Sequence, residues 1–144
     1  EINCILLSQT CDLEHGKVTI AIVCPFFPLQ YFLTQLAESG ANKKEREKRV
    51  KDLKKGLLPS YHLLEKSEIE SFPVKDDYVV VDFSNVYGIH IEALKKITQN
   101  KSKRIRLLSP YKEHLSQAFA RFFMRVGLPQ DINIESEYLK LKEG

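Results

Sequence analysis

Two runs of apolar and β-branched residues near the start of the chain constrain its fold more than any other feature. Residues 4–7 form the first run and residues 18–24 form the second. The segment between them is polar, contains Asp12 and His15, and is too long for a tight hairpin. Short apolar runs with polar boundaries are typical of buried strands. The pattern therefore predicts two strands with a long connection between them.

The length of 144 residues suits one domain, and we expect a single domain over residues 1–144. The hydrophobic content of 43% and the charged content of 28% are those of a soluble globular protein. No apolar run approaches the roughly 20 residues of a membrane span, and no cationic-then-apolar signal segment opens the chain. We therefore predict no membrane association. Because the chain starts at Glu1 without a methionine, we interpret it as a piece whose first elements precede that residue.

The cysteines favour a reducing compartment. They are odd in number and lie in or beside the apolar runs: Cys4, Cys11 and Cys24. Reduced thiols in a cytoplasmic protein are the simplest interpretation.

Four further strands are predicted in three regions of the chain. Residues 78–91 form a second strong strand region, with a bend near Ser84 and Asn85 that divides it in two. Residues 60–64 and 105–108 are predicted as short strands. The strand that begins at residue 18 should end by Pro28, because proline cannot donate to a strand ladder.

A charged helix is predicted over residues 41–55. Glu45 and Arg49 have the spacing of a favourable i,i+4 pair, and Gly56 followed by Pro59 is expected to end the helix. Few of its side chains are apolar, so we interpret residues 38–60 as a charged insertion on the domain surface.

A second helix is predicted near the end of the chain. Ser109 is a candidate N-cap, Pro110 suits the first helical position, and Gly127 with Pro129 ends the helix. Its apolar positions repeat at helical spacing and predict one face packed on the sheet: Leu115, Ala118, Phe119, Phe122 and Val126.

The net charge of +3 is unevenly distributed. Residues 42–55 contain eight Lys and Arg against three acids, and residues 95–106, predicted as a loop, contain six and no acid. Two basic segments on an otherwise acidic chain indicate an anionic partner such as RNA, or else solvated surface. Phe27, Tyr31 and Tyr87 are candidates for base stacking, with core packing as the alternative.

The strand endings of this chain resemble those of the PemK/MazF family of toxin endoribonucleases. Residues 4–8 and 18–25 match an apolar strand that ends in Ser, a loop, and a strand that ends in Pro. Residues 79–90 resemble the family's strand–bend–strand segment with its acidic or Gln residue, and residues 107–110 resemble its closing segment. The resemblance covers most of the chain outside residues 38–70. It implies a mainly β fold: a small SH3-like antiparallel barrel with a packed C-terminal helix and the charged helical insertion.

The same resemblance implies a function. It predicts a bacterial, toxin-like effector that cleaves single-stranded RNA in the cytoplasm and acts in toxin–antitoxin or phage defence. It also implies a homodimer and an inhibitory partner protein, and we predict no cofactor and no metal.

The chain departs from the family at two positions. The Thr or Ser that follows the family's Pro is Phe26 here, and the Arg two residues before the acidic position is Val80. RNA cleavage needs a base, an acid and a cation for the phosphate. The catalytic candidates are Asp82, His15 and Asp12, and the RNA-binding candidates are Lys103, Arg104, Arg106, His90, Arg121 and Arg125.

Alternatives remain both for the candidate site residues and for the function of the whole chain. The polar segment 8–15 suits a structural loop, a ligand contact, or a site that uses Cys11 as nucleophile or metal ligand. His62 and His90, on predicted strands, also suit half-buried structural roles. For the whole chain, the alternative is a catalytically inert barrel that acts as a protein-interaction module and docks through the helix of residues 41–55.

Overall fold

The computed structural model describes residues 2–8, 18–99 and 105–124. Five strands are present in this part of the chain: β1 (Cys4–Leu6), β2 (Ile20–Pro28), β3 (Tyr61–Leu64), β4 (Val79–Asp82) and β5 (Tyr87–His90). Four helices accompany them: α1 (Leu29–Glu38), α2 (Lys43–Lys54), α3 (Ile91–Gln99) and α4 (Tyr111–Phe123).

The strands form one antiparallel sheet around β2. β1 pairs with one edge of β2, with Cys4 opposite Pro25. β5 and β4 pair with successive stretches of the other edge, and β3 pairs with the outer side of β4. The two strands predicted from the first apolar runs are thus confirmed, and so is the division of residues 78–91 into two strands.

Helices cover both faces of this sheet. Side chains alternate along β4, so that Val79 and Val81 face α4 while Val80 faces α1 and α2. The first core cluster contains Cys24, Leu64, Val74, Val79, Val81, Phe83 and Leu115. The second contains Phe32, Leu53 and Val80.

The prediction of a mainly β barrel is wrong in two respects. The four helices contain more residues than the five strands, so the described fold is mixed α/β. The sheet is also open in the described residues, because β1 and β3 are the two ends of its hydrogen-bonded order.

α1 is a helix that the sequence analysis did not predict. β2 ends at Pro28 as expected, but the aromatic stretch after it is helical. Pro28 gives α1 no side-chain cap; instead Asp77 accepts a hydrogen bond from the Gln30 N–H at 3.2 Å. Because this capping carboxylate lies 47 positions along the chain, no local pattern marks the start of α1.

α2 is confirmed, but its relation to the core is different from the prediction. Asn42 and Glu45 form a capping box at its start, and Gly56 adopts a left-handed φ of 68° after its end. Leu53 is only 2% exposed and packs against Val80 in the second core cluster. The predicted surface insertion therefore contributes to the packing of the sheet.

Two predictions in the last third of the described chain are wrong. Residues 105–108 form no strand; Leu107 packs on the first core cluster without a ladder partner among the described residues. The predicted basic loop of residues 95–106 begins inside α3.

The packing of α4 agrees with the apolar face that the sequence predicts. α4 begins at Tyr111, with Pro110 at the cap position, and Ser109 Oγ hydrogen-bonds Glu113 Oε1 rather than a backbone N–H. Leu115 is buried, and the half-buried members of the predicted face pack beside it: Ala118, Phe119 and Phe122. Val126, Gly127 and Pro129 lie outside the described residues.

Candidate aromatic groove

An open groove of about 450 Å³ lies on the face of the sheet that α1 and α2 cover. Five aromatic rings line it: Phe27, Tyr31, Phe32, Tyr61 and Tyr87. The other lining residues are Ile2, Pro25, Gln35, Leu36, Asp82 and Asn85. We call this site the aromatic groove.

Strand alternation and helix spacing bring these side chains together. Pro25 and Phe27 are two positions apart on β2 and therefore face the same side of the sheet. Tyr61 and Asp82 are cross-strand partners at the ends of β3 and β4. Tyr31 and Gln35 are four residues apart on α1 and share one helix face.

The rings form a packed floor and an accessible rim. Phe32 meets Tyr61 edge to face at 5.2 Å between centroids, and Phe27 meets Tyr31 in the same way at 5.2 Å. Tyr31 is 51% exposed and Tyr87 is 48% exposed. The groove therefore offers two accessible aromatic rings, and the ring of Tyr31 is held by its contact with Phe27.

The carboxylate of Asp82 shapes the turn beside the groove. Asp82 is 7% exposed. Its oxygens accept hydrogen bonds from the Ser84 backbone N–H at 2.8 Å and from Asn85 Nδ2 at 2.7 Å. An aspartate that accepts from the residue two positions on is typical of a turn. Asp82 thus holds the loop between β4 and β5 and fixes the amide of Asn85 at the groove.

Tyr61 is protonated at neutral pH. Burial raises the pKa of the Tyr61 hydroxyl, the negative charge of Asp82 raises this pKa further, and the positive charge of Arg49 on α2 partly opposes the rise. The Tyr61 hydroxyl is therefore available as a hydrogen-bond donor.

Cys24 has no nucleophilic role in this arrangement. Burial, followed by the charges of Asp82 and Cys4, raises the pKa of the Cys24 thiol to about 12. Its Sγ donates to the backbone carbonyl of Asp82, and the thiol is free of disulfide bonding. Because the thiolate is the reactive species, Cys24 is a structural residue.

The structure does not bring the described site candidates into one place. Asp82 lies in the aromatic groove, whereas Arg121 lies on α4, across the sheet. His90 pairs with Ile20 at the far end of β2, and its Nδ1 accepts from the Glu92 N–H at the start of α3. Arg106 is exposed before α4. The other candidates lie outside the described residues: Asp12, His15, Lys103, Arg104 and Arg125.

The sequence analysis identified some residues of the aromatic groove and missed others. Phe27, Tyr31 and Tyr87 were candidates for stacking, and all three line the groove. Tyr61 and Gln35 were missed. The pairing of Tyr61 with Asp82 and the presence of α1 both depend on contacts between distant parts of the chain.

A second group of titratable side chains lies on the opposite face. His62 on β3 stacks on Phe83 with centroids 6.4 Å apart. Burial lowers the pKa of the His62 imidazole, and the nearby charges of His114 and Arg121 on α4 lower it further. His62 is thus a half-buried structural histidine under α4.

No protein-family model, curated protein or solved structure matches this chain. Across residues 2–8, 18–99 and 105–124, no three His, Cys, Asp or Glu side chains are grouped so that they could hold a metal ion. None of the helices in that same part of the chain has the length and apolar character needed to cross a bilayer.

Proposed function

We propose that this chain binds single-stranded RNA and accommodates unpaired bases in the aromatic groove. The observation that carries this proposal is the convergence of five aromatic rings on one open groove, two of them about half exposed. Unpaired bases stack on aromatic side chains, and every base has a face suited to such stacking.

The polar atoms of the groove suit a base better than a purely apolar ligand. Asn85, Gln35 and the Tyr61 hydroxyl supply donors and acceptors beside the rings. Nucleobases combine flat apolar faces with hydrogen-bonding edges, and a groove of this composition satisfies both.

The enzymatic form of the proposal follows the resemblance to PemK/MazF toxins. In this form the chain is a cytoplasmic toxin-like endoribonuclease, kept inactive by a partner protein. Asp12 and His15 then supply the proton transfers, because the carboxylate of Asp82 holds its turn. The location of Asp82 in the aromatic groove supports a role for this residue in positioning the RNA.

The oxygens of Asp82 already accept hydrogen bonds from Ser84 and Asn85. This favours the second candidate function, a catalytically inert module. In that form the same groove binds RNA without cleavage, or α2 docks a partner protein.

Binding is tested with Tyr31→Ala and Tyr87→Ala. We expect each variant to bind a labelled, mixed-sequence single-stranded RNA about 5- to 160-fold more weakly, since base–aromatic stacking contributes about 1–3 kcal/mol per base. Fluorescence anisotropy at low salt measures the affinity. The control is Tyr111→Ala, because Tyr111 is a similarly exposed tyrosine (47%) on α4. Equal affinities of Tyr31→Ala, Tyr87→Ala and Tyr111→Ala would contradict the proposal.

Cleavage is tested separately by gel electrophoresis of the same RNA. Loss of cleavage in Asp12→Ala or His15→Ala with retained binding supports the endoribonuclease. Binding without cleavage by the unmodified chain supports the inert RNA-binding form. Loss of cleavage in Asp82→Asn with unchanged stability and unchanged binding would show that Asp82 is catalytic and that its assigned positioning role is wrong.

A further inference from the structure

We propose that the aromatic groove continues into a second groove between α1 and α2, and that Lys48 and Arg49 there bind the phosphates of the same RNA strand. This inference rests on the proposed function and assigns the phosphate contacts that it leaves open. We call this second site the phosphate groove.

The two grooves adjoin at Leu36, which lines both of them. The phosphate groove has a volume of about 720 Å³ and lies between the end of α1 and the exposed side of α2. Arg49 lines it, and its charge also reaches Tyr61 in the aromatic groove. An RNA strand with a base on the aromatic rings can therefore extend its backbone along α2.

The basic character of this region comes from the wider surface of α2, because residues 42–55 contain eight Lys and Arg against three acids. The lining of the phosphate groove itself contains two cations and two acids. Lys48 and Arg49 are exposed, and neither forms an ion pair with another residue that the structure describes. The carboxylate of Glu45, which also lines this groove, already accepts the Asn42 N–H at 2.8 Å in the capping box. Asp52 is half-buried and is the other acid in the lining.

The neighbouring cation Arg46 is engaged in the structure of the helix. Its Nη1 donates to the carbonyl of Ala41 at 2.7 Å. Lys48 and Arg49 are therefore the cations of this region that are both accessible and adjacent to the aromatic groove.

The two grooves make different contributions to binding. Stacking on the rings depends weakly on salt, whereas each phosphate contact releases counterions and changes the slope of log K against log salt by about 0.7 for a single strand. Substitutions in the two grooves should therefore have separable effects.

The test measures RNA affinity by anisotropy over a series of salt concentrations. We expect Lys48→Gln with Arg49→Gln to reduce the slope by about 1.4. The matched control is Lys43→Gln with Lys54→Gln, which removes the same charge from exposed positions of α2. The rotation of 100° per residue places both control lysines more than 100° around the helix from Lys48 and Arg49. We expect the control to change the slope by less than half as much.

Tyr31→Ala separates this inference from the proposed function. We expect it to weaken binding at every salt concentration and to keep the slope. Equal slope changes in the two Gln double variants would overturn the phosphate groove, while a loss of affinity in Tyr31→Ala would still support the aromatic groove. A slope change specific to Lys48 and Arg49 with normal affinity of Tyr31→Ala would instead overturn the aromatic groove. Thermal melts check that each variant is folded.

Discussion

At the scale of single residues, burial decides what the titratable side chains of this chain do. Cys24 and His62 lie on the α4 side of the sheet. Burial raises the pKa of the Cys24 thiol and lowers the pKa of the His62 imidazole, and both shifts favour the neutral form. Both side chains are therefore uncharged at neutral pH.

The lowered pKa of His62 predicts a loss of stability in mild acid. The unfolded chain protonates His62 around the ordinary pKa of 6.5, while the folded chain does so only at lower pH. The unfolded state thus binds more protons in this range, and the free energy of unfolding falls as pH decreases through 6.5. Urea unfolding between pH 7.5 and 5.5 measures the effect.

His62→Gln should flatten this pH dependence. The control is His90→Gln, since His90 is exposed at the end of β5 and should leave the dependence in place. An unchanged pH dependence in His62→Gln would show that His62 does not cause it.

At the scale of elements, α2 is the helix with the strongest local signals. In the capping box, Glu45 N donates to Asn42 Oδ1 at 3.1 Å, and Asn42 N donates to Glu45 Oε2 at 2.8 Å. These contacts form within four residues, which explains why the sequence predicts this helix well.

Asn42→Ala should destabilise the protein by about 1 kcal/mol, because it removes the side-chain acceptor at the start of α2. Chemical denaturation measures the change. Asn42→Asp keeps an acceptor at this position and should be close to neutral. A similar destabilisation by both variants would mean that the cap is not the source of the effect.

The elements that the sequence did not predict have non-local causes. α1 begins where Asp77 accepts from Gln30, and the strand interpretation of residues 105–108 fails because no neighbouring strand pairs with them. The spacing of apolar residues predicted β1 to β5 correctly, because strand alternation is a local pattern. It did not predict α1, which is stabilised by tertiary packing on the second face of the sheet.

The same distinction applies to the candidate site. The resemblance to PemK/MazF toxins marked Asp82 as a candidate, and residue type marked Tyr31 and Tyr87; these three residues lie in one groove. Neither could show that Tyr61 is the partner of Asp82 across β3 and β4, or that Arg121 lies on the other face. These relations depend on strand register and on the order of the layers.

At the scale of the whole molecule, the sheet is shared by two cores. Leu53 anchors α2 on one face, and Leu115 anchors α4 on the other. Val80 and Val81 are adjacent in β4 and belong to opposite cores, so the two cores are connected through one strand.

Leu53→Ala and Leu115→Ala should each lower the free energy of unfolding by about 2–5 kcal/mol, the cost of a buried Leu→Ala cavity. Because one sheet supports both cores, we expect each variant to unfold in a single transition, measured by circular dichroism in urea. The exposed Leu57→Ala, at 61% exposure, is the control and should have little effect. Two separate transitions in Leu53→Ala would show that the α2 side folds independently of the sheet.

The placement of both grooves on the α1 and α2 side has a consequence for regulation. On the proposed function, we expect a protein that covers α1 and α2 to compete with RNA and to be displaced by saturating RNA. We expect a protein that attaches to α4 to leave the reverse surface open and to allow a ternary complex with RNA. Competition assays with any binding protein therefore report which side of the sheet it occupies.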